Sequence, residues 1–336
     1  MREDEHDVRV KTSTGNLTKL TVGSVGLASR SPSLDGGVSW TGPVTLNDDT
    51  FAAPVSHTFQ GVTWTGDSTL TAAWLDERAG GMTTHEHASR DSSAESDATI
   101  YAASSPDFGK RWEPNRPLWG AACPCCRVVL ARGRDGSALA AWRRHFPQDI
   151  RDVVVGRVGD LSEPVRVHRD GWEFKGCPHS GPAVAVDDSG WARVAWYTGR
   201  AGRAGVYLVR ATGATTFDSA PVALMRRQRL QPAHPAIAVL RDGSTIAAWD
   251  LDARGRRGLS LGVVGVGESR ARTVAMPGTA GASYPQLAAL RDGSAALAWT
   301  EMAGERFRLR VARVVVATSP RAPAASSAFA ASPPPP

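Results

Sequence analysis

The four cysteines of this 336-residue chain are its residues with the most evident chemistry, and they lie in two short segments. Three stand in CPCCR at 123–127, and the fourth stands in GCPHSG at 176–181. Three interpretations remain open. One is a disulfide from Cys177 to one of the upstream cysteines. A second is a zinc or copper site, and the donors it would use are Cys123, Cys125, Cys126, Cys177 and His179. Redox chemistry through the C-x-C-C segment is the least favoured, because the βαβ pattern that accompanies redox C-x-x-C motifs is missing.

A repeated Ala-Trp motif indicates which elements position these segments. Each copy follows a turn such as RDGS and a run of small apolar residues, and the copies end at Trp74, Trp142, Trp196, Trp249 and Trp299. Self-similarity at intervals of 50 to 68 residues is typical of an array of one supersecondary unit. Because five copies cannot all be catalytic, we interpret these tryptophans as core residues wedged between neighbouring units.

The repeating unit has the pattern of β-structure. Residues 234–276 contain four short apolar runs, HPAIAVL, TIAAW, LSLGVVG and ARTVAM, separated by the turn RDGS and the polar loop DLDARGRRG. Four antiparallel strands at this period predict a β-propeller blade. The same pattern predicts blades near 57–116, 126–167, 180–224 and 283–316, and residues 7–46 form a sixth blade or close the ring. We therefore predict an all-β, six-bladed β-propeller of four-stranded antiparallel blades over 1–318, followed by a disordered Ala/Pro-rich tail over 319–336.

Composition excludes several function classes. The net charge of +6 comes almost wholly from arginine, since lysine occurs only at 11, 19, 110 and 175, and no basic run or basic helix indicates a nucleic-acid partner. The sequence contains no stretch of about 18 apolar residues, so it does not predict a membrane-spanning helix. The N-terminal residues MREDEHDVRVK do not have the pattern of a signal peptide. We expect a monomer.

Two segments add a finer motif. SLDGGVSW at 33–40 and SPDFGKRW at 105–112 both fit S-x-D-x-G-x-x-W, in which the Asp accepts backbone N–H groups, the Gly supplies a positive φ and the Trp anchors a hairpin. These two S-x-D-x-G-x-x-W segments, called boxes below, occur here together with the tryptophan repeat. In this combination the chain resembles the sialidase-like family of Asp-box (BNR-repeat) propellers. CPCCR, DIRDVVV at 149–155 and GCPHSGPAVAVD at 176–187 are similar to a bacterial group of that family. The resemblance and the cysteines together imply a secreted protein, periplasmic or extracellular.

The predicted topology places a functional face opposite the Asp boxes, where the loops between blades meet the innermost strands. Alignment of the units on their tryptophans puts Arg127, Gly181, His234 and Tyr284 at one equivalent position. Two further groups of residues are expected near this face as contacts for a substrate. They are the histidines His57 and His234, whose simpler role is a structural hydrogen bond, and the inter-blade tryptophans Trp119 and Trp172, which could stack on a sugar ring.

The resemblance implies exo-glycosidase activity on acidic glycans. Sialidases hold the substrate carboxylate with three arginines, use an Asp as acid/base and attack with a Tyr. The segment SYPQLAALRDGSAALAWTE is similar to the Tyr-bearing segment of that family, so Tyr284 is the expected nucleophile. Loop position alone assigns Asp76 as the acid/base and Arg127, Arg78 and Arg200 as the arginine set.

A binding function is the alternative to hydrolysis. The Arg-Ile-Pro motif of sialidases is absent from the N-terminal region. A non-catalytic propeller would present a surface to a glycan or a protein, and its Cys/His loops would hold a metal or a disulfide.

Overall fold

The computed structural model describes residues 6–11, 17–22, 28–33, 39, 42, 44–50, 55–78, 98–226, 231–253, 256–304 and 306–316. All regular structure in these ranges is β-strand, which confirms the all-β prediction. None of the described segments is a helix that could cross a membrane. Most of the box at 33–40 and the whole tail over 319–336 lie outside the described residues.

The strands follow one another as antiparallel meanders. The first is β1 (His6–Lys11), β2 (Leu17–Val22), β3 (Ala28–Ser33) and β4 (Val44–Thr45). The second is β5 (His57–Trp64), β6 (Leu70–Asp76), β7 (Ala98–Ser105) and β8 (Arg116–Ala122), and the third is β9 (Val129–Arg132), β10 (Ala138–Phe146), β11 (Ile150–Arg157) and β12 (Val165–Arg166). The fourth is β13 (Ala183–Val186), β14 (Ala192–Thr198), β15 (Gly205–Arg210) and β16 (Val222–Arg226), and the fifth is β17 (Gln231–Val239), β18 (Thr245–Ala253), β19 (Arg256–Val264) and β20 (Arg272–Ala275). The last is β21 (Ala282–Ala289), β22 (Ala295–Ala303) and β23 (Arg306–Val314).

Successive meanders pack side by side through their first strands. β5 lies against β9, β9 against β13, β13 against β17, and β17 against β21. The second and third meanders are also joined at one point, where Arg144 of β10 pairs with Ala122 of β8. Four-stranded antiparallel sheets arranged around their first strands are the architecture of a β-propeller. The count of six blades stays a prediction.

The tryptophans of the repeat form the core between meanders. Each lies on the second strand of its meander, and their exposed fractions are 0% for Trp74 and Trp142, 1% for Trp196 and Trp249, and 8% for Trp299. The predicted packing role is therefore confirmed. The predicted loop at 250–258 is wrong, because the β18–β19 ladder continues past Trp249 to the pair Ala253–Arg256.

The turn at 105–112 joins β7 to β8 and has the predicted geometry. The carboxylate of Asp107 accepts the backbone N–H of Arg111 at 2.8 Å and the hydroxyl of Ser105 at 3.0 Å, and Gly109 has a φ of 80°. These hydrogen bonds, that from the Arg111 backbone foremost, lower the pKa of Asp107 to about 2. The N–H of Phe108 donates to the Ser68 carbonyl in the β5–β6 turn. Both turns therefore lie on the face opposite the starts of the innermost strands.

Candidate functional site

The starts of the innermost strands surround a central cavity of about 330 Å³. Five of its lining side chains can contact a ligand through an aromatic ring, an imidazole or a guanidinium: Phe59, Arg127, His179, His234 and Tyr284. None of the described residues that line it is an Asp or a Glu. The cavity can therefore offer cationic, imidazole, phenol and aromatic groups to a ligand, but no carboxylate.

Three of these residues lie at matched bulges. Phe59, His234 and Tyr284 have left-handed φ values of 53°, 47° and 54°, and each lies where the ladder between the first two strands of its meander shifts register. A bulge bends its strand and redirects the side chain, and a left-handed backbone at a residue other than glycine is strained and marks functional sites. The alignment of His234 with Tyr284 is thus confirmed. Phe59 is a further member that the sequence alignment missed, although it precedes Trp74 by the same interval as His234 precedes Trp249.

The two units that carry the cysteine loops depart from this pattern. Arg127 and Gly181 hold the equivalent positions without a left-handed backbone. A Cβ added to Gly181 would lie 2.4 Å from the backbone carbonyl oxygen of Arg127, closer than any real Cβ contact. Glycine is therefore required where the loop 176–182 presses against the loop 123–127.

The guanidinium of Arg127 lies in an unusual environment for a charged group. Its side chain lines the cavity, and burial lowers the pKa of its guanidinium, while the neighbouring Tyr284 partly offsets this effect. Within the described part of the chain, no carboxylate forms an ion pair with it. A partly desolvated charge without a partner costs free energy, so the site favours the binding of an anion.

His234 and Tyr284 share one buried carboxylate. The Oδ2 atom of Asp250 lies 2.7 Å from His234 Nδ1 and accepts the backbone N–H of Tyr284 at 2.9 Å. Asp250 is fully buried, and the rings of His234 and Tyr284 lie 4.2 Å apart. Asp250 thus ties two bulges together and orients the imidazole beside the phenol. The sequence placed it only among the polar loop residues, although its position directly after Trp249 was visible.

The cysteine loops converge at the edge of the same cavity. The Sγ atom of Cys123 lies 2.9 Å from that of Cys126 and 3.7 Å from that of Cys125. Donor atoms of Cys125, Cys177 and His179 all lie within 4.8 Å of one another. None of the four cysteines forms a disulfide. The structure therefore brings together all five residues predicted as metal ligands, in two trios that share Cys125.

Buried arginines give the cysteine cluster a positive environment. Arg143 and Arg151 are each 1% exposed, and the Arg143 carbonyl accepts the N–H of Cys123 at 2.9 Å. Hydrogen bonding with Cys125 and Cys126 lowers the pKa of Cys123 to about 3, assisted by the charges of the two arginines. Burial raises the pKa of Cys126 to about 12. The cluster thus favours one thiolate, at Cys123.

Comparisons with known proteins identify the fold. The chain resembles a protein of unknown function from Dyadobacter fermentans, with a TM-score of 0.60, 15% identity, and 94% and 96% of the two chains covered. It also resembles the intramolecular trans-sialidase of Ruminococcus gnavus in complex with oseltamivir carboxylate, with a TM-score of 0.57, 11% identity, and 93% and 94% covered. The GH93 α-L-arabinofuranosidase of Fusarium graminearum with arabinobiose gives a TM-score of 0.58 at 12% identity and 94% of both chains. No family model and no curated protein matches the sequence.

The chain has a sialidase-like β-propeller fold. At these identities the likeness establishes the fold and leaves the activity to be argued from the residues. In this propeller the cavity brings together two of the residues predicted to act in catalysis, Tyr284 and Arg127. The other predicted catalytic residues lie elsewhere.

Asp76 and Arg78 belong to an ion-pair network away from the cavity. Asp76 is fully buried and accepts from Arg78 Nε at 3.0 Å, and Arg78 also pairs with Asp48 at 2.8 Å. The fully buried His57 has its Nε2 atom 2.9 Å from Asp49 and 3.4 Å from Asp76. None of Asp76, Arg78 and His57 is among the described residues that line the cavity, so their roles as acid/base, carboxylate clamp and substrate contact stay predictions that the cavity does not support.

The predicted stacking tryptophans are also placed in the core. Trp119 lies in β8 instead of a loop, is 7% exposed, and stacks on Trp142 with ring centroids 4.7 Å apart. Trp172 lies in a loop as predicted but is 6% exposed, with the guanidinium of Arg143 5.0 Å from its ring. Arg200 donates to the Asp170 carbonyl. None of these three is among the described residues that line the cavity, so we do not assign them to the ligand.

Proposed function

We propose that this propeller binds a carboxylate-bearing saccharide in its central cavity. The observation that carries the proposal is Arg127, a half-buried guanidinium at the cavity wall with no carboxylate partner in the described part of the chain. A guanidinium pairs with a carboxylate through two parallel hydrogen bonds, and such charge-assisted bonds are stronger in a desolvated site. A ligand carboxylate would therefore supply the missing partner.

The rest of the cavity suits an anionic sugar. Its lining includes no Asp or Glu among the described residues, so no carboxylate on the cavity wall repels the ligand. The rings of Phe59 and Tyr284 offer faces for a pyranose, and His234 offers a hydrogen-bonding nitrogen. A volume of about 330 Å³ accommodates one saccharide unit. The structural neighbours bound to oseltamivir carboxylate and to arabinobiose are consistent with a sugar-sized ligand in this fold.

We further propose that Tyr284 is the nucleophile if the bound sugar is hydrolysed. His234 is oriented by Asp250 at 2.7 Å and lies against the Tyr284 ring. There it would accept the phenol proton as the phenol oxygen attacks the anomeric carbon and the glycosidic C–O bond breaks, and water would then displace the tyrosine to release the sugar. A neutral phenol avoids the repulsion that a carboxylate nucleophile would meet near an anionic sugar. In this scheme His234 takes the place of the Glu that partners the Tyr of sialidases.

Hydrolysis of 4-methylumbelliferyl sialoside tests the catalytic step. Its leaving group departs as a phenolate and needs no proton, so the assay does not depend on a general acid. We expect turnover by the wild type and a loss of about 100-fold or more in Tyr284→Phe. Tyr207→Phe is the matched control, because the Tyr207 hydroxyl donates to the Arg203 carbonyl away from the cavity. Equal turnover by both variants would refute a nucleophilic role for Tyr284.

Binding is tested apart from turnover. We expect N-acetylneuraminic acid or glucuronic acid to bind the wild type in calorimetry, whether or not the sialoside is cleaved. Binding without cleavage would favour the non-catalytic glycan-binding propeller. The absence of binding for both acids, together with the absence of cleavage, would refute the acidic-saccharide proposal.

A further inference from the structure

We propose that Cys125, Cys177 and His179 hold a thiophilic metal ion, zinc or copper(I), at the edge of the central cavity. Their donor atoms lie within 4.8 Å of one another. In a tetrahedral zinc site with Zn–S distances of about 2.3 Å, neighbouring donor atoms lie about 3.5 to 4 Å apart. The two loops therefore need to close by only about 1 Å to bind the ion.

The backbone already directs these donors toward one another. The N–H of Cys126 donates to the Cys123 carbonyl and closes a turn around Cys125. His179 has a left-handed φ of 48°, a strained conformation for a residue other than glycine. The close approach of Gly181 to the Arg127 carbonyl fixes the second loop against the first. A histidine held under strain and a glycine that permits close contact both serve to bring His179 and Cys177 to Cys125.

The donor types determine which ion fits. Two thiolates and an imidazole are soft or borderline ligands that select zinc or copper(I), whereas magnesium and calcium require oxygen donors. Neither described trio contains a carboxylate. The site thus suits a thiophilic cation.

The trio faces the cavity. Cys125 and His179 both line it. With three protein donors, an ion held there would keep one coordination position available for water or a ligand. Three protein ligands and an open position are the pattern of catalytic zinc sites, whereas structural sites are closed by four. Cys123 and Cys126 form a second trio with Cys125, and a shared thiolate can bridge to a second ion. The primary site remains Cys125, Cys177 and His179.

Metal content and cobalt(II) spectroscopy test the site. The full chain, purified under reducing conditions without chelator, should retain at least one equivalent of zinc or copper. In the metal-free protein, cobalt(II) should give thiolate charge-transfer and tetrahedral d–d absorption. Cys177→Ser and His179→Ala should each weaken cobalt(II) affinity by at least 10-fold. His145→Ala is the control, because His145 pairs with Asp149 on the β10–β11 hairpin.

A rescue variant separates ligation from folding. His179→Cys keeps a soft donor, so it should bind cobalt(II) with a stronger charge-transfer band, and circular dichroism should show the same fold in every variant. Metal that is retained equally by Cys177→Ser and His179→Ala would overturn the proposal and place the ion at Cys123, Cys125 and Cys126. Two reactive thiols instead of four in the denatured, metal-free protein would also overturn it, because they would indicate a disulfide. Saccharide binding by metal-free protein is measured separately, so the two proposals fail independently.

Discussion

Replacement of Arg127 by methionine should change stability and binding in opposite directions. Arg127 is half-buried and its guanidinium lacks a carboxylate partner in the described structure, so folding transfers a charge from water without compensation. Replacing buried ions by apolar side chains of similar size is neutral or stabilises proteins by about 1 to 4 kcal/mol. Because the cavity exposes part of the side chain to solvent, the lower end applies, and we expect about 1 kcal/mol, or about 2 °C in Tm.

The same substitution removes the group that would hold the ligand carboxylate. A hydrogen bond to a charged group contributes about 1.5 to 3 kcal/mol, which corresponds to a loss of affinity of about 10- to 100-fold. Stability is measured by calorimetric or denaturant unfolding, and affinity by titration with N-acetylneuraminic acid and glucuronic acid. Arg132→Met is the control: Arg132 is an exposed residue of β9, so both quantities should stay within about 0.5 kcal/mol of wild type. A variant Arg127→Met that is less stable by 1 kcal/mol or more and binds the acids normally would refute the assignment.

Two further predictions concern the loops and turns. Gly181→Ala would place a Cβ 2.4 Å from the Arg127 carbonyl oxygen, so we expect a loss of about 1 to 3 kcal/mol in denaturant unfolding and weaker cobalt(II) binding. Gly120→Ala, where nothing lies within 4 Å of the added Cβ, is its control, and equal behaviour of the two would contradict the close contact. The pKa of Asp107 is about 2 in the fold, below its ordinary 3.8. Its stabilising contribution is therefore complete above about pH 4 and disappears as the pH falls to 2, and in Asp107→Asn unfolding curves this pH dependence should be reduced.

Much of the fold could be predicted because the same packing problem recurs in each unit. Closely packed inner strands require small residues beside one large aromatic ring. The alanines that precede Trp142 and Trp249 in the sequence meet this requirement. The turn at Asp107 could also be predicted from the sequence, because its carboxylate, glycine and tryptophan lie within eight residues of one another. Local hydrogen bonds and a repeated core contact leave a pattern in the sequence.

The residues that were misplaced depend on distant partners. Nothing near Asp76 and Arg78 indicates that Asp48, about thirty residues earlier, neutralises the arginine. The blade pattern places Trp119 in a loop between blades, yet the segment pairs with β7 and the indole stacks on Trp142 of the next meander. The bulges at His234 and Tyr284 were also invisible, because their left-handed backbone occurs without glycine. Tertiary contacts select these conformations over local preference.

The two proposed sites share one wall because the cysteine loops replace the bulges of the other units. Where Phe59, His234 and Tyr284 lie at bulged, left-handed positions, the third and fourth units instead bring Arg127 and Gly181 into backbone contact. That contact places Arg127 beside the cavity and, from the same two loops, brings Cys125 within reach of Cys177 and His179. A ligand carboxylate on Arg127 and a metal with an open position would therefore act on the same bound molecule. The carboxylate would fix its orientation, and the ion would polarise an oxygen next to it.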